Sequence, residues 1–151
     1  MTMLKKIAEV SSGAVLITGD GKRLARIYLN VWSGRGKRIL AEHLPFPVNG
    51  DVYIGSPFDS DDFDVYLIIN PLSRPKEERE KLIEWLKEHR DKLVLLYESK
   101  YVKDSITRYR LKDFIDYLIA YKRETVGFER VDVMSLEGGK VVESKTYVRR
   151  R

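Results

Sequence analysis

Phe63-Asp64-Val65-Tyr66-Leu67-Ile68-Ile69 and Leu93-Val94-Leu95-Leu96-Tyr97 are two apolar runs on either side of a helical stretch, about Pro75–Arg90. Short runs with no polar alternation are expected of strands buried on both faces. Pro71 stops the first run, and Ser73 with Pro75 opens the helix, whose buried stripe is Leu82, Ile83 and Leu86. Strand, helix and strand at this spacing read as a crossover unit, with an antiparallel return as the other arrangement. The fold class that follows is α/β: a single domain, 1–151, with a mixed β-sheet flanked by helices.

Working outward, Ala14–Thr18 and Leu24–Trp32 read as strands joined by the turn Gly19-Asp20-Gly21-Lys22, an N-terminal hairpin within residues 1–32. A short basic helix is expected over about Arg35–Leu44, capped by Ser33 and stopped by Pro45. Asp51–Gly55 reads as a short strand. Over 109–123, Leu111, Phe114, Ile115, Leu118 and Ile119 recur at helical spacing. A closing hairpin, Glu129–Ser135 and Lys140–Val148, turns at Gly138-Gly139, and Arg149–Arg151 forms a basic tail.

The bulk composition narrows the chemistry. The chain has 151 residues and a net charge of +5, which suits a polyanionic partner. It contains no cysteine, which excludes disulfides, cysteine-ligated zinc and thiol catalysis. Glutamine is absent and asparagine is scarce beside abundant Lys, Arg and Glu, the pattern of a hyperthermophile. No apolar run is long enough for a membrane helix, and Met1–Val10 does not suit a signal peptide, so a cytoplasmic protein is expected.

Against this basic background, residues 57–64 read Pro-Phe-Asp-Ser-Asp-Asp-Phe-Asp, directly ahead of an apolar strand. Clustered carboxylates repel unless a cation offsets them. Asp62 and Asp64, two residues apart, can point to the same side, and Glu98 ends the next apolar strand. If those strands are neighbours, Asp62, Asp64 and Glu98 would gather on Mg²⁺ or Mn²⁺, with Lys100 facing a phosphate or the attacking water. Lys100, Lys103, Arg108, Arg110 and Lys112, with Tyr101 and Tyr109 between them, suit a phosphate backbone and stacked bases. The bland alternatives are a solvated acidic turn and a salt-bridged surface. His43 and His89 read as structural, and Gly34-Arg35-Gly36-Lys37 lacks the spacing of a phosphate loop.

The order of Glu42, Gly55-Ser56, the Asp64-led strand, Glu98-Ser99-Lys100, helix 109–123 and the final hairpin resembles the PD-(D/E)xK nucleases, and among them the archaeal Holliday-junction resolvases. The resemblance implies metal held by Asp64 and Glu98, and Lys100 assisting the nucleophile. Gly55-Ser56 followed by Asp62-Phe63-Asp64 also resembles the minimal nucleotidyltransferases. The expected function is a metal-dependent nuclease hydrolysing DNA, rather than RNA, phosphodiester bonds. A homodimer would suit a branched substrate. The alternatives are a non-catalytic nucleic-acid-binding protein, a nucleotidyltransferase-like protein, and an adaptor whose exposed edge strands pair with a partner.

Overall fold

The computed structural model describes residues 2–10, 13–19, 22–59, 62–99, 111–123 and 127–150. In chain order they form α1 (Thr2–Val10), β1 (Ala14–Gly19), α2 (Lys22–Gly34), β2 (Ile39–Ala41), β3 (Val52–Ile54), β4 (Val65–Ile69), α3 (Lys76–Glu88), β5 (Leu93–Glu98), β6 (Tyr117–Arg123), β7 (Phe128–Glu137) and β8 (Lys140–Arg150). Short 3-10 turns lie at Pro57–Asp59, Pro71–Ser73 and Leu111–Phe114.

The strands form one mixed sheet in the order β3-β2-β4-β5-β1-β6-β7-β8. β1 runs parallel to both β5 and β6, and β4 parallel to both β2 and β5. β7 and β8 return antiparallel. The unit β4–α3–β5 is therefore the parallel crossover of the two arrangements open to it. Every residue of β4 and of β5 is buried.

Alternation along these strands makes two cores. Val65, Leu67, Ile69, Leu95 and Ile17 face α1 and α2, which contribute Leu4, Ile7, Leu24, Tyr28 and Leu29. Tyr66, Ile68, Val94 and Leu96 face the opposite way, against Leu82, Trp85 and Leu86 of α3. The period of two in the strands thus meets a period near 3.6 on each covering helix.

Three sequence expectations are corrected. Residues 22–34 form α2, so β1 leads into a helix and residues 1–32 form no hairpin. Leu24, Ala25, Tyr28 and Leu29 are the buried positions, a helical spacing inside a segment rich in strand formers. The helix expected at Arg35–Leu44 is absent: α2 ends at Gly34, Gly36 turns at φ +75°, and Ile39–Ala41 is a fully buried strand between β3 and β4.

The helix expected over 109–123 is replaced by a 3-10 turn at Leu111–Phe114 and by β6. Residues 109 and 110 lie outside the described set. Tyr117, Ile119 and Tyr121 also alternate, and the gap between β1 and β7 selects that period. The closing hairpin is as expected, with positive φ at Gly138 and Gly139. Arg149 and Arg150 belong to β8 and are not a free tail.

Candidate functional site at the carboxyl ends of the strands

Parallel strands give a sheet two chemically different ends. Asp64 stands immediately before β4 and Glu98 closes β5, and these strands pair with Val65 opposite Leu93. Asp64 is thus level with Lys92, and six residues of parallel strand, roughly 20 Å, separate it from Glu98. The two carboxylates cannot share a metal ion. Among the described residues no group of three or more His, Asp or Glu gathers as a metal site would require.

Each predicted acid has a local structural task. The Asp64 Oδ2 accepts the Arg38 backbone N–H at 3.0 Å, fastening the entry of β2 to that of β4. The Asp62 carbonyl accepts from the Arg38 guanidinium at 3.1 Å. That guanidinium lies over the Phe63 ring, 4.8 Å from its centroid. The Glu98 side chain is fully buried; Oε2 accepts the Leu72 N–H and Oε1 the Ser73 hydroxyl, both at 2.8 Å. It braces the Pro71–Ser73 turn against the end of β5.

Lys100, Lys103, Arg108 and Arg110 lie outside the described residues. Lys112 sits half-buried in the turn ahead of β6, at the end of the sheet where the parallel strands begin. His43 is exposed in the loop after β2. His89 follows α3, stacked on Trp85 with ring centroids 4.1 Å apart and Nδ1 2.7 Å from the Trp85 carbonyl oxygen.

A cavity of about 920 Å³ opens at that same beginning of the strands, lined by Lys37, Asp64, Arg90, Asp91, Lys92 and Asp116 among others. Its charges are of both signs, and it does not contain Glu98. In open α/β sheets, ligands lie instead outside the carboxyl ends of the strands, where the chain changes direction across the sheet. Here that place is β1: the chain leaves it toward β2 on one side, and later passes it to build β6 on the other.

At this carboxyl end β1 finishes at Gly19, with φ +83°, and α2 begins at Lys22. A Cβ on Gly19 would stand 2.3 Å from the Tyr121 carbonyl oxygen, so only glycine lets β1 and β6 close here. Lys22 and Arg23 occupy the first turn of α2, both exposed. A helix start presents N–H groups and a positive dipole end to an anion.

Around this point lie polar residues, of which the sequence reading singles out Glu42 and Ser99 but not Asn70 or Glu129. Asn70 follows β4 in the left-handed region, φ 50°, and its Oδ1 accepts from the Ser99 N–H at 3.2 Å and hydroxyl at 3.3 Å. Glu42 binds Arg74 and accepts the Ile69 N–H at 3.0 Å. Glu129, on β7, accepts from Arg149 Nε at 3.1 Å and Nη2 at 2.6 Å, and its Oε1 is 3.8 Å from Arg23 Nη1. Burial pushes the Glu129 carboxyl up, but the Tyr121 hydroxyl, Arg149 and Arg23 together outweigh it, and the group titrates below the usual range. Asn70 after an apolar strand was a readable signal. Glu129 was not, because only the folded sheet sets it beside Arg149 and α2.

No family model and no curated protein matches the sequence. Solved structures do match the fold. The N-terminal domain of zonular occludens toxin from Neisseria meningitidis superposes at a TM-score of 0.54 and 8% identity, over 91% of this chain and 94% of that one. A KaiC-like protein from the hyperthermophilic archaeon Pyrococcus horikoshii superposes at 0.50 and 14% identity, over 91% and 85%. At these identities the likeness shows the fold alone. Neither neighbour is described as a nuclease. With the separation of Asp64 from Glu98, these neighbours overturn the metal-dependent nuclease expected from sequence. Among the described residues no helix is long and apolar enough to cross a membrane.

Proposed function

We propose that the protein binds the phosphate groups of a nucleotide at the β1–α2 junction, and that the described residues do not supply rapid hydrolysis. The observation that carries this reading is the central strand β1 ending at Gly19 with α2 beginning at Lys22, which puts Lys22 and Arg23 in the helix's first turn. The P-loop ATPase-like fold of the structural neighbours supports it.

The departures from a working P-loop are specific. The G-x-x-x-x-G-K-[ST] spacing fails, since Leu16 stands where its first glycine would be and Arg23 where its hydroxyl would hold Mg²⁺. Asn70 follows β4 at the strand end where such enzymes place a magnesium-binding aspartate. Glu98 spends both oxygens on Leu72 and Ser73. This donor set does not fit a protein-held Mg²⁺, and no chemical step through one follows. Arg23 adds a second cation beside Lys22, which suits a bound phosphate better than a transferring one.

The test is equilibrium binding of fluorescent ADP and ATP, with Mg²⁺ or EDTA, to the wild type and to Lys22→Ala/Arg23→Ala. Saturable binding that the double variant weakens about tenfold or more, roughly 1.4 kcal/mol or more, with hydrolysis at background, is expected. Absence of saturable binding of adenine and guanine nucleotides would refute the reading.

A further inference from the structure

The sheet ends in two unequal rims. β3 is three residues long, and a short edge is one device by which sheets avoid pairing with strangers. β8 is eleven residues long and carries no proline. Among the described residues no strand lies beyond it. Its outer row of backbone N–H and C=O groups is a template for another strand. Val141, Val142 and Val148 are 55%, 57% and 60% exposed on it, a level that Tyr53 and Ile54 reach on the much shorter β3.

We propose that β8 pairs antiparallel with β8 of a second copy about a two-fold axis at Ser144, joining two sheets into one. The order of residues along the strand selects this occupant and this register. Antiparallel pairing about Ser144 sets Glu143 opposite Lys145 of the partner subunit, and Lys145 opposite Glu143 of the partner subunit. Within one strand these two side chains already lie 3.5 Å apart. The four charges then alternate in sign on one face, and opposite charges directly across strands are stabilising. On the other face the two Ser144 residues meet each other.

Neighbouring registers are worse. An axis at Glu143 or at Lys145 sets that charge against its own copy, and like charges opposite one another destabilise. An axis at Thr146 sets Glu143 against Arg149, whose guanidinium is already bound to Glu129. Where β7 and β8 shift register, between Ser135 and Leu136, Val142 is the extra residue, so the ladder is regular from Glu143 onward. The centre of the pairing is Glu143–Lys145, clear of the bulge.

The chain has no cysteine, so a single introduced thiol is an unambiguous reporter. Sedimentation of the wild type is expected to give twice the chain mass. Ser144→Cys is expected to form an intermolecular disulfide on mild oxidation. Thr146→Cys is expected to form little, since its two copies would lie about 13 Å apart, beyond disulfide reach. Glu143→Lys is expected to halve the mass with the circular dichroism of the folded sheet unchanged, and Glu143→Lys/Lys145→Glu to restore the dimer. A wild-type monomer across the accessible concentrations, cross-linking of Thr146→Cys at or above the yield of Ser144→Cys, or a dimer indifferent to Glu143→Lys would each overturn the proposal.

Discussion

Glu129 and Arg149 stand directly opposite one another on β7 and β8, and the guanidinium presents both Nε and Nη2 to the same carboxylate oxygen, at 3.1 and 2.6 Å. The carboxylate is 1% exposed, whereas the arginine keeps 25% of its side-chain surface. A charge-assisted contact so shielded is worth more than a surface ion pair. It also joins the antiparallel ribbon to α2, because Arg23 approaches the other oxygen.

This pair predicts a pH dependence. The Glu129 carboxyl is lowered in the fold from its ordinary 4.5, so the unfolded chain takes up its proton first as pH falls. The stability it contributes is complete above the unfolded value and is lost as pH drops through the folded value. Chemical unfolding followed from pH 7 downward should show the wild type losing stability below about pH 4.5, with Glu129→Gln losing less over the same window. At neutral pH the variant should be weaker by about 1–3 kcal/mol.

Glu98 gives a second expectation, opposite to that for a metal ligand. Glu98→Ala leaves the buried Leu72 N–H without its acceptor and frees the Ser73 hydroxyl toward solvent. The cost should be about 1–3 kcal/mol, a fall of several degrees in melting temperature. Mg²⁺ without nucleotide should shift the melting temperature of neither wild type nor variant. A large stabilisation by Mg²⁺ that Glu98→Ala abolishes would restore a metal role to this carboxylate.

At Gly19 the backbone itself is the constraint. With φ at +83° and the Tyr121 carbonyl oxygen 2.3 Å from an added Cβ, Gly19→Ala must part β1 from β6. A loss of at least about 1 kcal/mol is expected from the conformation alone. Gly127, also at positive φ but with open space around it, is the control: its alanine variant should carry only the conformational cost.

The sequence was most readable where one signal acted alone. Val65–Ile69 and Leu93–Tyr97 are wholly apolar, flanked by breakers, and separated by a helix with a single buried stripe, and both are central strands. It misled where two periods coexist. Leu111–Ile119 satisfies a helical spacing while Tyr117–Tyr121 satisfies alternation, and a vacancy between β1 and β7 chose the strand. Leu24–Trp32 failed in reverse, strand formers being drawn into a helix by the apolar face they cover.

The acidic cluster was legible as composition but not as position. Whether Asp64 and Glu98 meet depends on strand direction. Parallel pairing sends the start of one strand and the end of the next to opposite rims. The polar residues at the carboxyl rim come from β2, β4, β5, β7 and β8, and no local pattern ties them together.

The place of β1 has a consequence for how the chain is made. Val15 pairs with Leu95 on one side and Tyr117 on the other, so the first strand finds neither neighbour until most of the polypeptide exists. During synthesis Ala14–Gly19 must wait beside α1 and α2 as an unpaired apolar segment while later strands emerge. Contacts so distant along the chain slow folding and lengthen exposure to aggregation. The last third of the sequence therefore acts as the closing step for the first, and chains released before about residue 120 are expected to be sticky, incomplete sheets.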